Sequence, residues 1–256
     1  MLLRSLPTLR ALLLAALALG WAQDAVAAGG VASGASRRGA SSGGCEALGL
    51  PASPAAWSFD VGSALRATPT VTAGAGGTIL LSASEGYVHA LSADGRLLWS
   101  YTLRGSPLGG VAVDARGRLY AGTRDRQLLA LRATGDADWE TTLPWAPSSG
   151  LVSDGERLYF GIGRGMLQAW SRWATPLFTV DLGAAPALEP LAVGQERLLV
   201  ATQGGELRLL QRAWTRWRRP IAGAAWALSA ASEERALLLT SEAAELVELK
   251  DGQSVA

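Results

Sequence analysis

A period of 39 to 40 residues constrains this chain more than any other feature. Five 13-residue blocks align without a gap: ILLSASEGYVHAL (79–91), LYAGTRDRQLLAL (119–131), LYFGIGRGMLQAW (158–170), LLVATQGGELRLL (198–210) and LLLTSEAAELVEL (237–249). Their starts lie 40, 39, 40 and 39 residues apart, and spacing that regular means tandem copies of one supersecondary unit. Each block reads as an apolar strand, a tight turn and a second apolar strand. Glycine stands in the turns at Gly86, at Gly163 and Gly165, and at Gly204 and Gly205, where a hairpin most often needs positive φ. The turns Arg124-Asp125-Arg126 and Glu242-Ala243-Ala244 lack it.

Two further strands flank each block. The first begins near a proline, at Pro69, Pro107, Pro147 and Pro186, a residue tolerated where a strand can do without a ladder donor. The last carries an aromatic residue with an aliphatic one four positions on: Trp99 with Leu103, Trp139 with Leu143, Phe178 with Leu182, Trp217 with Ile221. Four strands, A to D, in about forty residues make the blade of a β-propeller, whose radial sheets bury both faces. The fold class expected is therefore all-β, with five four-stranded blades over residues 55–256. Trp57-Ser58-Phe59-Asp60-Val61 repeats the strand D spacing ahead of blade one. It is expected to complete blade five and close the ring; a piece of a larger propeller is the alternative.

The start of the chain reads as a targeting signal. Arg4 and Arg10 supply a positive start, Ala11 to Gly20 is an apolar stretch of signal-peptide length, and Ala25-Val26-Ala27 offers a small-residue cleavage site. Residues 1–27 are thus expected to be a signal peptide, with export to a bacterial periplasm and no transmembrane span in the mature chain. Residues 28–54, rich in Gly, Ala and Ser, read as a flexible linker. The only cysteine, Cys45, lies in it behind Ser42-Gly43-Gly44. That context is no lipid-attachment motif, so a free thiol is expected there rather than a lipid anchor.

The segment 79–99, ILLSASEGYVHALSADGRLLW, resembles the repeat of the pyrroloquinoline-quinone-type propellers, where a YVGS…G…ALD…TG…W pattern recurs once per blade. Ala90-Leu91, Asp94-Gly95 and Trp99 occupy the pattern's positions, and so do Leu119 to Thr123, Ala130-Leu131 and Trp139. The resemblance covers residues 57–256 and weakens towards the end, where Glu248-Leu249 replaces Ala-Leu. It implies a scaffold comparable to the family's BamB-like members in outer-membrane protein assembly, holding a protein partner or a nascent barrel strand. The chain departs from those members in lacking their lipid-attachment motif and in having fewer repeats.

The family also contains quinoprotein dehydrogenases, which use calcium on carboxylate and amide oxygens, a catalytic aspartate and a vicinal-cysteine disulfide. This chain has one cysteine and no asparagine. Asp114 and Asp154 recur forty residues apart, each in a turn between strands A and B, where turn chemistry accounts for them. One histidine, His89, excludes a two-histidine acid/base pair. No enzyme activity and no cofactor are expected. A formal charge of +1 and export together argue against a nucleic-acid partner.

Propeller connectivity gathers the B–C turns and the D-to-A linkers on one face. Arg104, Arg124, Arg126, Trp145 and Arg164 fall there, with Asp125 and Trp226 beside them. Trp145 lies in the stiff linker Leu143-Pro144-Trp145-Ala146-Pro147, where no core position requires an indole. Trp and Arg dominate the energetics of protein interfaces, so this face is the expected partner surface of a monomer. The opposite face carries Ser171-Arg172-Trp173 and the run Arg212 to Arg219, read as a solvated strand end, with a site for anionic lipid or a glycan as the lesser alternative. A ligand-sensing or substrate-binding propeller using its central channel is the second reading of function and a quinoprotein oxidoreductase the third.

Overall fold

The computed structural model describes residues 57–72, 77–163, 165–194 and 196–255. The signal peptide expected over 1–27, the linker over 28–54 and the thiol of Cys45 lie outside them. The described residues form five four-stranded antiparallel sheets, each with its strands in chain order. Blade one comprises β1 (Thr70–Val71), β2 (Thr78–Ala83), β3 (Tyr87–Ser92) and β4 (Leu97–Thr102). Blade two comprises β5 (Ala112–Val113), β6 (Leu119–Gly122), β7 (Gln127–Leu131) and β8 (Ala137–Thr142). In blade three, β9 (Val152–Ser153), β10 (Arg157–Ile162), β11 (Met166–Ser171) and β12 (Pro176–Asp181) follow. Blade four is β13 (Leu191–Ala192), β14 (Arg197–Ala201), β15 (Glu206–Gln211) and β16 (Trp214–Pro220). Blade five is β17 (Ala225–Ala230), β18 (Arg235–Thr240), β19 (Ala244–Glu248) and β20 (Ser254–Val255).

The two inner apolar strands of each block are buried on both sides because blades stack face to face. In blade two every residue of β6 and β7 is buried, and successive residues pack in opposite directions. Leu119, Ala121, Leu129 and Leu131 join Leu80, Val88 and Ala90 of blade one. Tyr120, Leu128 and Ala130 join Leu158 and Phe160 of blade three. Similar clusters link blade three to four and four to five. The strand D residues, at the outer edge, alternate between half-buried and exposed.

A bolt recurs between neighbours. The indole N–H of Trp99 donates to Ala133 O, that of Trp139 to Arg172 O and that of Trp217 to Leu249 O, each at 2.9 Å. Each acceptor lies in or beside the C–D turn of the next blade. A glycine at positive φ, Gly135 (φ +92) or Gly252 (φ +75), lies under the ring of Trp99 or Trp217, where a Cβ would meet ring atoms at 2.6 and 2.8 Å. Trp139 and Ala174 both pack against the cluster shared by blades two and three, and Ala174 takes the left-handed conformation at φ +59.

Asp114 and Asp154 do more than close their turns. Asp114 Oδ1 accepts from the backbone N–H groups of Arg116 and Arg118, and Oδ2 accepts from the Tyr120 hydroxyl at 2.9 Å. Asp154 repeats this with Glu156 N, Arg157 N and the Tyr159 hydroxyl at 2.8 Å. Burial first, then the adjacent carboxylate, pushes both hydroxyls far above the usual phenol range.

In three respects the structure differs from the sequence reading. Pro107, Pro147 and Pro186 each form a single bridge at the end of strand B, several residues ahead of strand A, whereas Pro69 stands directly before β1 as expected and Leu65 makes the corresponding bridge, to Ala83. In blades one to four the first and last residues of each block pair, as in Ile79↔Leu91 and Leu198↔Leu210. In blade five Leu237 pairs with Leu246 instead of Leu249. With no glycine available, its turn tightens around Thr240 Oγ1, which accepts from Ala243 N at 3.0 Å. Such a slip by an odd number of residues reverses which face a side chain takes. Leu237 and Leu239 consequently sit half-buried on the side away from blade four.

The third difference concerns closure. Residues 57–61 are not a strand and pair with no strand of blade five. Blade five has a strand D of its own in β20, paired as Leu246↔Val255 and Val247↔Ser254. The turn at Asp251-Gly252 makes this possible, with Gly252 N donating to Glu248 O at 2.8 Å. Trp57 nonetheless uses the bolt: its indole donates to Ala93 O at 2.9 Å over Gly95. Phe59 packs at 6.0 Å from His89. The segment therefore covers the outer face of blade one.

Candidate partner-binding face

The B–C turn of blade two and the linkers on either side of blade two's strands build the expected surface. The turn is pinned by Thr123 N donating to Gln127 O at 2.9 Å and Gln127 N to Thr123 Oγ1 at 3.1 Å. Arg126 occupies the place that Gly86, Gly165 and Gly205 hold in other blades, and it adopts φ +67. Its carbonyl accepts from Leu143 N at 2.7 Å, just as Gly86 O accepts from Leu103 N. A left-handed non-glycine residue costs about 1 kcal/mol. The chain carries that cost where a guanidinium projects into solvent.

Arg104, Arg124, Arg126 and Trp145 are brought together. Arg124 N donates to Ser106 O at 3.0 Å, joining the turn to the linker before blade two. Arg126 Nη1 reaches Pro144 O at 3.5 Å in the linker after it. Arg104 N donates to Gln127 Oε1 at 2.8 Å, and its guanidinium pairs with Glu140 at 3.3 Å while staying 79% exposed. An ion pair that exposed contributes little to stability, which leaves the charge available to a partner. Trp145 is 58% exposed. Asp125 tucks its carboxylate against Gly105, which has no side chain to obstruct it. Arg164 lies outside the described residues. Trp226 is 41% exposed and bulges from β17 between Ala225 and Ala227.

Sequence reasoning missed Glu189. It leads into β13, and its carboxylate fills the space beside Gly109 and Gly150 of blades two and three, accepting from Gly110 N at 3.3 Å. The paired glycines opposite a lone acidic residue were the available signal. Burial raises its pKa above the ordinary 4.5, with the Gly110 N–H pulling weakly the other way. A raised folded pKa stabilises fully below the unfolded value, and that contribution is lost as pH rises through the folded value. Glu189→Gln should therefore match the wild type in acid and exceed it increasingly as pH rises above about 4.5. Urea midpoints across that range check this; parallel curves would show that the carboxylate ionises freely.

Among the described residues no helix is long and apolar enough to cross a membrane. A family model described as outer membrane protein assembly factor BamB matches residues 20–167 and 84–224. No curated protein matches the sequence. Among solved structures, BamB from Moraxella catarrhalis superposes with a TM-score of 0.58 at 17% identity, over 77% of this chain and 61% of that one. BBS1N, solved in complex with ARL6DN, gives 0.63 at 17% identity over 74% and 66%. The WD40 β-propeller domain of Doa1 gives 0.56 at 15% identity over 70% and 64%. The chain spans less than two thirds of each of these, and the likeness at such identities is one of fold.

Proposed function

This chain belongs to the BamB family of repeat propellers, and on that premise we propose that it is an exported, non-enzymatic scaffold for outer-membrane protein assembly. Its partner is a β-barrel protein in the course of assembly or another component of that machinery. The observation that carries this reading is the face built around blade two, where Trp145 and three arginines stand in solvent on well-pinned turns. Aromatic and guanidinium groups on a rigid support lose little entropy on binding and supply most of the energy at interfaces. The strain kept at Arg126 supports the same assignment.

Crosslinking in the periplasm followed by capture tests it. The wild type should recover an outer-membrane barrel protein or an assembly component. Trp145→Ala together with Arg126→Gly should lower that recovery about 30-fold, the equivalent of about 2 kcal/mol. Arg126→Gly alone should leave the melting temperature unchanged or raised, since it removes a left-handed side chain. Undiminished recovery with the double variant would remove this face from the interaction. A ligand-binding propeller is the second reading, and a groove on the opposite face favours it.

A further inference from the structure

The face opposite Trp145 holds a groove of about 340 Å³ between blades three and four. That volume is at the small end of the roughly 300–1,000 Å³ typical of small-molecule sites. Its walls come from the A–B turn of blade three (Glu156, Arg157), the C–D turn (Ser171, Arg172, Trp173) and Leu177 of β12.

These walls are braced from outside. Arg157 Nη2 pairs with Glu196 at 2.6 Å, and Glu196 also takes Arg212. Arg172 pairs with Glu156. Trp173 is 60% exposed. The Arg118 guanidinium lies 4.3 Å from the centre of its ring, itself fixed by Asp138 at 3.1 Å and by Arg172 O at 3.2 Å. One face of the indole is thus covered and the other is left open.

The groups still free define the ligand. Glu156 holds Arg172 through one oxygen, and its carboxylate is 54% exposed. Ser171 Oγ accepts from Trp173 N and Thr175 N, each at 3.2 Å, which leaves its own hydrogen to donate. An open aromatic face with a carboxylate acceptor and a hydroxyl donor beside it matches a pyranose ring. Such a ring has one apolar C–H face and a rim of hydroxyls that both give and accept hydrogen bonds. Anions are disfavoured by the carboxylates of Asp154, Glu156 and Glu196 in the lining, and cations by the arginines between them. The lining is mostly turns rather than an unpaired strand edge, so it offers no ladder to an extended peptide.

We propose that this groove is a glycan site that stacks one ring of a neutral saccharide on Trp173 and fixes it through the Ser171 hydroxyl and the Glu156 carboxylate. The proposal is independent of the partner face around Trp145. Nitrogen-15 NMR of the indole region tests it, with the Trp173 signal identified by its loss in Trp173→Phe. Maltotetraose, cellotetraose and chitotetraose are the probes. At least one should shift that signal saturably and give a calorimetric isotherm that Trp173→Ala abolishes. Glu156→Gln should weaken binding about tenfold, through loss of a charged hydrogen bond, and Trp214→Ala should leave it unchanged. No shift with any of the three saccharides would overturn the proposal. So would a saturable shift with inositol hexakisphosphate, or with an unfolded barrel-strand peptide when the saccharides give none.

Discussion

Asp154→Ala is expected to lower the unfolding free energy by about 3–5 kcal/mol, since it leaves several buried donors unpaired. The Asp154 carboxylate is 2% exposed. It accepts from Glu156 N, Arg157 N and the Tyr159 hydroxyl at 3.0, 2.8 and 2.8 Å, and from Glu196 N of the next blade at 3.3 Å. Removing it strands a fully buried phenol and loosens the contact between blades three and four. Tyr159→Phe in the same background separates the terms. If the stranded hydroxyl dominates, Asp154→Ala with Tyr159→Phe should recover part of the loss, because an apolar pair has nothing left unsatisfied. Urea unfolding measures all three variants. A loss below about 1 kcal/mol for Asp154→Ala would mean that water replaces the carboxylate and that the blade contact does not depend on it.

Gly135→Val should be nearly as damaging, about 4 kcal/mol, because two penalties coincide. The residue sits at φ +92, which a β-branched side chain resists, and its Cβ would lie 2.6 Å from the ring of Trp99. Gly117→Val is the internal reference. Gly117 has φ +78 with nothing within 4 Å of a Cβ, so it reports backbone strain alone, about 1–2 kcal/mol. The excess at Gly135 measures the bolt between blades one and two. Trp99→Ala combined with Gly135→Val should then cost less than the sum of the single losses. Equal losses at Gly117 and Gly135 would show that the ring moves aside at no cost.

The blades were legible in the sequence because the 40-residue period is imposed by packing on both faces, and the first and last residues of each block pair with each other in four blades out of five. Arg124, Arg126 and Trp145 could be placed on one face because turns and linkers follow from connectivity alone. What lay hidden depended on contacts between distant segments. The slipped hairpin of blade five turns on whether Thr240 or a glycine closes the bend, and block alignment is blind to that. Trp57 was recognised as a repeat-position tryptophan, and its contact with Ala93 agrees with this, yet the same spacing suggested a strand pairing that the structure does not contain. Asp114 and Asp154 looked like ordinary turn residues because their tyrosine partners lie on the following strand. Ser171-Arg172-Trp173 stood out in the sequence, but the groove beneath Trp173 also draws on the A–B turns of blades three and four, which only the fold brings together.

The slip in blade five also bears on how the molecule comes apart. In a stack of repeats, stability is a sum of internal terms and nearest-neighbour terms. Blades two, three and four each share apolar clusters with two neighbours, and blade one gains Trp57 and Phe59 on its outer face. Among the described residues, blade five shares a cluster with blade four alone and turns Leu237, Leu239 and Leu246 away from it. Among the described residues, the slip thus leaves three leucines of blade five outside any contact between blades. Amide exchange is the measure of it: β18 and β19 should exchange before the doubly packed strands of blades two and three.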